Sequence, residues 1–103
     1  MPASPRRITF VALLIPVAVL ADPKGNYEAL CTACHGFGIA GAPRVGDQEA
    51  WAPRLERGIQ SLYDNAINGY TGETGVMPAK GGFTELSDEE IKAIVDYMAK
   101  SSQ

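Results

Sequence analysis

The chain has 103 residues, 46% of them hydrophobic and 20% charged, which suits one small globular domain and excludes a disordered chain. A formal charge of −3 excludes a protein that holds nucleic acid by bulk positive charge. Two cysteines and one histidine exclude a four-ligand zinc site built only from those residue types, and no apolar run reaches the roughly eighteen residues of a membrane span.

At the start of the chain, Arg6 and Arg7 precede an apolar run over residues 8–20 that only Thr9 and Pro16 interrupt. Val19-Leu20-Ala21 then leads into Asp22. This is the layout of a secretory signal peptide, so residues 1–21 are expected to be a leader cleaved after Ala21, and residues 22–103 the working domain. The alternative is an uncleaved N-terminal anchor, against which stand the shortness of the run and Pro16 within it. Cleavage removes Arg6 and Arg7 and no acid, leaving seven cations against twelve acids, a net charge of −5. A domain this small has difficulty stabilising itself with apolar side chains alone. Its one cysteine pair closes too short a loop to help, so size alone points to a bound cofactor.

Residues 25–35 are expected to form a short helix, with Tyr27, Leu30, Cys31 and Cys34 at helical spacing. Cys31-Thr32-Ala33-Cys34-His35 is a C-x-x-C-H motif, the attachment signature of c-type haem. Two thiols add across the two haem vinyl groups, and residues three apart on a helix share a face, so both sulfurs reach one porphyrin edge. His35 then supplies an imidazole as an axial iron ligand. A thioredoxin-like pair needs a strand–helix setting that the sequence lacks. A zinc site lacks its fourth partner, and a plain disulfide gives His35 no role.

The stretch from Phe37 to Gly46 holds three glycines and Pro43 and reads as loop. Asp47 is positioned to cap a short helix carrying Trp51, with Pro53 early in it and Gly58 ending it. Residues 61–68 place Leu62, Tyr63, Ala66 and Ile67 on one stripe, and Gly69 suits the C-terminal cap. Next comes Met77, after Gly72 and Gly75 and before Pro78. His35 is the only histidine, so bis-histidine ligation within one chain is impossible. Met1 leaves with the leader and Met98 falls in a helical core pattern, so Met77 is the expected second axial ligand rather than a gap-filling core methionine. The Gly69, Gly72, Gly75 spacing lacks the G-K-[ST] of a phosphate loop. In the last helix Ser87 and Glu90 make a capping box, Leu86 is placed to staple onto Ile91, and Ile91, Ile94, Val95 and Met98 follow i, i+3, i+4, i+7. No run alternates long enough for a strand. The expected fold is all-α, about four short helices and loops wrapped around one covalent haem.

These features together resemble class I cytochrome c, and within it the bacterial cytochrome c5 type. The likeness rests on Cys31 to His35, on GAPRVGD at 41–47, WAPR at 51–54 and MPAKGG at 77–82, and on the closing helix. It implies that the Pro43 carbonyl accepts the His35 ring N–H, that Val45 packs on the haem face, and that Trp51 and Arg54 line a wall facing the haem propionates. It also places the crossing of the first and last helices at Tyr27, Tyr97 and Ile94. One departure is visible: Phe83 and Leu86 stand where the c5 type often has a second cysteine pair. The resemblance implies a periplasmic one-electron carrier with haem c attached by two thioether bonds, one per chain, and no enzymatic activity. Two strong axial ligands leave no open site on the iron. Its partners are expected to be redox proteins in transient docking, including a membrane-bound oxidase or reductase, and no nucleic acid. The alternatives are a haem c subunit of a larger dehydrogenase or oxidase complex, and a gas-binding or peroxidase-like protein lacking Met77 on iron.

Overall fold

The computed structural model describes residues 2–12 and 22–103. Residues 2–12 are exposed and carry no regular secondary structure. Most of the apolar run of the expected leader, and the expected cleavage point after Ala21, lie outside the described residues.

The domain begins with a helical run in three pieces. Helix α1 (Pro23–Asn26) passes into a π turn (Tyr27–Cys31) and then α2 (Thr32–His35). Asp22 starts it, its carboxylate accepting from Gly25 N at 3.0 Å, and Pro23 takes the first turn, where a missing N–H costs no bond. The sequence predicts a plain helix here. The π turn arises because the Thr32 N–H reaches back to the Tyr27 carbonyl, and the Thr32 hydroxyl donates to the carbonyls of Tyr27 and Glu28, each at 3.0 Å. A threonine hydroxyl bonding back to the preceding turn spreads the carbonyl ladder, and such widened turns recur at functional sites.

A loop with one 3₁₀ turn (Ile39–Gly41) leads to α3 (Gln48–Glu56), which Asp47 caps by accepting from Ala50 N at 3.2 Å. Pro53 lies inside α3 rather than at its start; both it and Glu49, whose carbonyl loses its donor there, face solvent. Gly58, with φ of +90°, breaks the chain between α3 and α4 (Ile59–Asn68), so α4 starts two residues ahead of the predicted stripe. The structure also contains a hairpin that the sequence does not predict. Strand β1 (Tyr70–Thr71) pairs antiparallel with β2 (Val76–Met77), Tyr70 opposite Met77. Two-residue strands are too short to show alternation. A second 3₁₀ turn (Ala79–Gly82) leads to α5 (Asp88–Lys100), whose Ser87–Glu90 capping box is formed in both directions at 3.1 Å.

Helix α5 is the spine of the core. Ile94 and Met98 pack with Ala99, Tyr27 and Trp51, while Ile91 and Val95 pack with Ala66 of α4. Leu86 touches both clusters, as the expected staple requires. Tyr27 and Tyr97 meet with ring centroids 5.5 Å apart where the first and last helices cross. The fully buried Ser102 hydroxyl accepts from Gly46 N at 3.0 Å and donates to the Met98 carbonyl at 2.7 Å, stitching the C-terminus to the loop before α3. Among the described residues no helix is long and apolar enough to cross a membrane.

Candidate haem site

A mostly apolar cleft opens between the N-terminal helical run, the hairpin and helices α4 and α5. Cys31 and Cys34 both line it, and no disulfide joins them. The π turn ends at Cys31, so the first thiol leaves the helix where its backbone ladder is widened. Burial pushes the Cys31 thiol above its ordinary value, and the neighbouring Cys34 adds to the rise.

His35 ends α2, and its imidazole also lines the cleft. Its Nδ1 lies 2.9 Å from the Pro43 carbonyl oxygen. A carbonyl only accepts, so the ring proton sits on Nδ1 and Nε2 keeps its lone pair. Val45 N donates to the His35 carbonyl at 2.9 Å, so the 43–45 segment holds the residue by both side chain and backbone. Burial depresses the His35 pKa; the Pro43 bond opposes this, and the Arg54 charge adds to it. The net effect favours the neutral ring, the form in which an imidazole binds metal.

Met77 comes to the same cleft from β2, half-buried against the cluster of Ala66, Ile91 and Val95. Two backbone approaches fix the segment around it. A Cβ on Gly75 would lie 1.9 Å from the Ala40 carbonyl oxygen, and one on Gly41 would lie 2.0 Å from that of Thr74. The loop after His35 and the strand before Met77 thus touch main chain to main chain. Met98, read as core, is indeed buried, and one side of it also forms cleft wall.

Val45, Trp51 and Arg54, expected at the haem, take different places. Val45 packs against the cluster of Tyr27, Trp51, Ile94 and Met98 and is not among the residues lining the cleft. Trp51 lines the cleft, and its indole N–H donates to the Arg44 carbonyl at 2.8 Å. Arg54 lines it as well, and its Nη1 donates to the Ala50 carbonyl of its own helix at 2.6 Å. Among the polar lining residues that sequence reasoning passed over are Arg57, at the end of α3, and Ser61 and Asn65 on α4. Ser61 and Asn65 are four apart on one helix, and that spacing was the available signal for the pair.

The side chains suit a haem. Unlinked thiols, a neutral imidazole with a free nitrogen and a thioether converge on one apolar cleft. Arg54 and Arg57 border it and, among the described residues, no carboxylate does, which favours a ligand carrying anionic groups. An all-α cage with this donor set is the structure of a c-type haem protein.

Comparison with known proteins narrows the class. Residues 18–98 match the family model described as "Cytochrome C oxidase, cbb3-type, subunit III". Cytochrome c-555 of Chlorobaculum tepidum is 46% identical over 83 residues, covering 81% of this chain and 77% of that one. Cytochrome c5 of Ectopseudomonas mendocina is 37% identical over 71 residues, covering 67% of this chain and 77% of that one. The cytochrome c in a structure titled as an electron transfer complex of nitrite reductase with cytochrome c superposes with a TM-score of 0.70 at 33% identity, covering 79% of this chain and 94% of that one. The chain belongs to the class I c-type cytochromes and resembles the c5 type. Membership implies a covalently bound haem c.

Proposed function

We propose that the chain is a periplasmic one-electron carrier, with one haem c held by thioether bonds from Cys31 and Cys34 and ligated by His35 and Met77. The observation that carries this reading is the shared cleft: a neutral imidazole with Nδ1 tied to Pro43 lines it together with the Met77 side chain. A haem bound there supplies an iron that alternates between ferric and ferrous states. The chain's part is to keep the surroundings alike in both. Pro43 holds the His35 ring and its tautomer, the Ala40–Gly75 approach holds the strand that carries Met77, and the walls from α4 and α5 keep water out. With His35 and Met77 both holding a bound haem iron, substrate would have no place on the metal, which suits a carrier rather than an enzyme.

A haem held in the cleft would exchange electrons where the cleft meets solvent. Ile39, Tyr70 and Val76 line it and stay exposed, and Phe37, two residues before Ile39, is exposed as well. A small apolar patch of this kind suits brief docking to a redox partner. The similar cytochrome c captured with nitrite reductase supports docking of this sort. The periplasmic location rests on the leader pattern of residues 1–21.

The test is export of the full chain from a host with haem-attachment machinery. A haem stain that survives denaturation, a product beginning at Asp22, and a ferric red-region charge-transfer band are expected. Met77→Ala should abolish that band, and its retention would refute Met77 as ligand. A second reading, a haem subunit of a larger complex, is favoured by the oxidase-subunit description of the matching family. Stable copurification with a larger enzyme would select it.

A further inference from the structure

Lys80 sits in the turn that follows Met77 with a backbone usually left to glycine. Its φ is +54° and ψ 27°, and Gly81 and Gly82 after it also have positive φ. A side chain in the left-handed region costs free energy that glycine would avoid, so its retention here calls for a reason.

The reason lies at the far end of the side chain. The Lys80 ammonium donates to the Leu86 carbonyl at 2.6 Å and pairs with Asp88 Oδ1 at 2.9 Å, and its side chain is only 16% exposed. Leu86 and Asp88 flank Ser87, the cap of α5. A cation at a helix N-terminus opposes the helix dipole, and the carboxylate of Asp88 offsets that. The lysine therefore bridges the turn after Met77 to the head of α5. Both ends rest on one surface, since Met77 and Leu86 pack against the same cluster of Ala66, Ile91 and Val95.

We propose that Lys80 is a positioning residue for Met77: its ammonium clamps the Ala79–Gly82 turn to the start of α5 and keeps the Met77 side chain in the cleft. The inference rests on Met77 being the second axial ligand. Without the clamp, the turn spends more time away from the cleft. An external ligand then competes with Met77 in proportion to that open population.

The experiment titrates imidazole into the ferric, haem-loaded protein and follows loss of the red-region band. Lys80→Met removes the cation and keeps an apolar stem. Lys80→Gly removes the cation and relieves the backbone. Both should bind imidazole about tenfold more tightly than wild type, with haem stain and helical circular dichroism unchanged. Lys80→Arg should restore much of the wild-type value. If Lys80→Met and Lys80→Gly stay within about twofold of wild type, or if Lys80→Gly binds more weakly, the clamp is overturned. Asp88→Asn keeps the Leu86 bond and serves where Lys80→Met does not accumulate; an intermediate gain supports the clamp and no gain overturns it. A wild-type protein without the band overturns the Met77 reading and this inference together, whereas a normal band with unchanged imidazole affinity overturns the role of Lys80 alone.

Discussion

The rings of His35 and Trp51 lie 6.4 Å apart at 45° and donate to adjacent carbonyls, His35 to Pro43 and Trp51 to Arg44. The two bonds hold one short segment from two sides. Trp51→Phe keeps most of the buried ring and leaves the Arg44 carbonyl without this donor. It should cost about 1–3 kcal/mol in denaturant unfolding, less than the roughly 3–5 kcal/mol of Trp51→Ala. The haem stain should be undiminished, because the indole N–H is not turned toward the cleft. Loss of covalent haem in Trp51→Phe would contradict this.

The contact between Ala40 and Gly75 leaves no room for a side chain. A Cβ at Gly75 would sit 1.9 Å from the Ala40 carbonyl oxygen. Gly75→Ala should therefore push β2 away from the loop after His35 and destabilise the protein by about 1–3 kcal/mol. The red-region band should weaken with it. Gly46→Ala is the control, since a Cβ there meets nothing within 4 Å although its φ of +93° still carries strain. Gly75 has no positive φ, so its cost comes from the close approach, and an unchanged stability in Gly75→Ala would show that the two segments part freely.

Ser102 is fully buried, between Gly46 N and the Met98 carbonyl. Ser102→Ala removes the acceptor for Gly46 N, and an unpaired, part-buried donor costs about 1–3 kcal/mol. Chemical denaturation should show the loss, with faster amide exchange at Gly46. An unchanged midpoint would mean that solvent reaches this amide readily.

The Tyr63 phenol donates to Asp96, and this bond raises its pKa, with burial and the Asp96 charge adding to the shift. The neutral phenol is thus favoured in the folded state. Its contribution to stability is complete below the ordinary tyrosine value of 10.0 and fades as pH climbs through the raised folded value. Tyr27 is shifted the same way, chiefly by burial. Comparing wild type with Tyr63→Phe isolates Tyr63: the variant should lose less stability between neutral and strongly alkaline pH. Parallel profiles would show that the Asp96 bond does not bias the ionisation.

Much of the fold is readable along the chain because its signals are local. The Ser87–Glu90 box, the Asp47 cap and the Gly58 and Gly69 breaks each involve residues within one turn of the helix they bound. The core stripe of α5 is equally legible, since Ile91, Ile94, Val95 and Met98 repeat with the helix. The hairpin at Tyr70–Met77 is not, because two-residue strands carry no period. Nor is the π turn, which depends on where the Thr32 hydroxyl donates.

Spacing also dictated the cofactor chemistry, because Cys31, Cys34 and His35 fall within five positions and their geometry follows from one helix turn. Direction was a matter for the folded chain. That Val45 turns to the core, that Trp51 donates to Arg44, and that Lys80 reaches Leu86 and Asp88 are outcomes of how loops fold back onto the helices they precede. The path of such a loop is set by what the rest of the cage packs against it, and no neighbouring residue type encodes which way each side chain will then point.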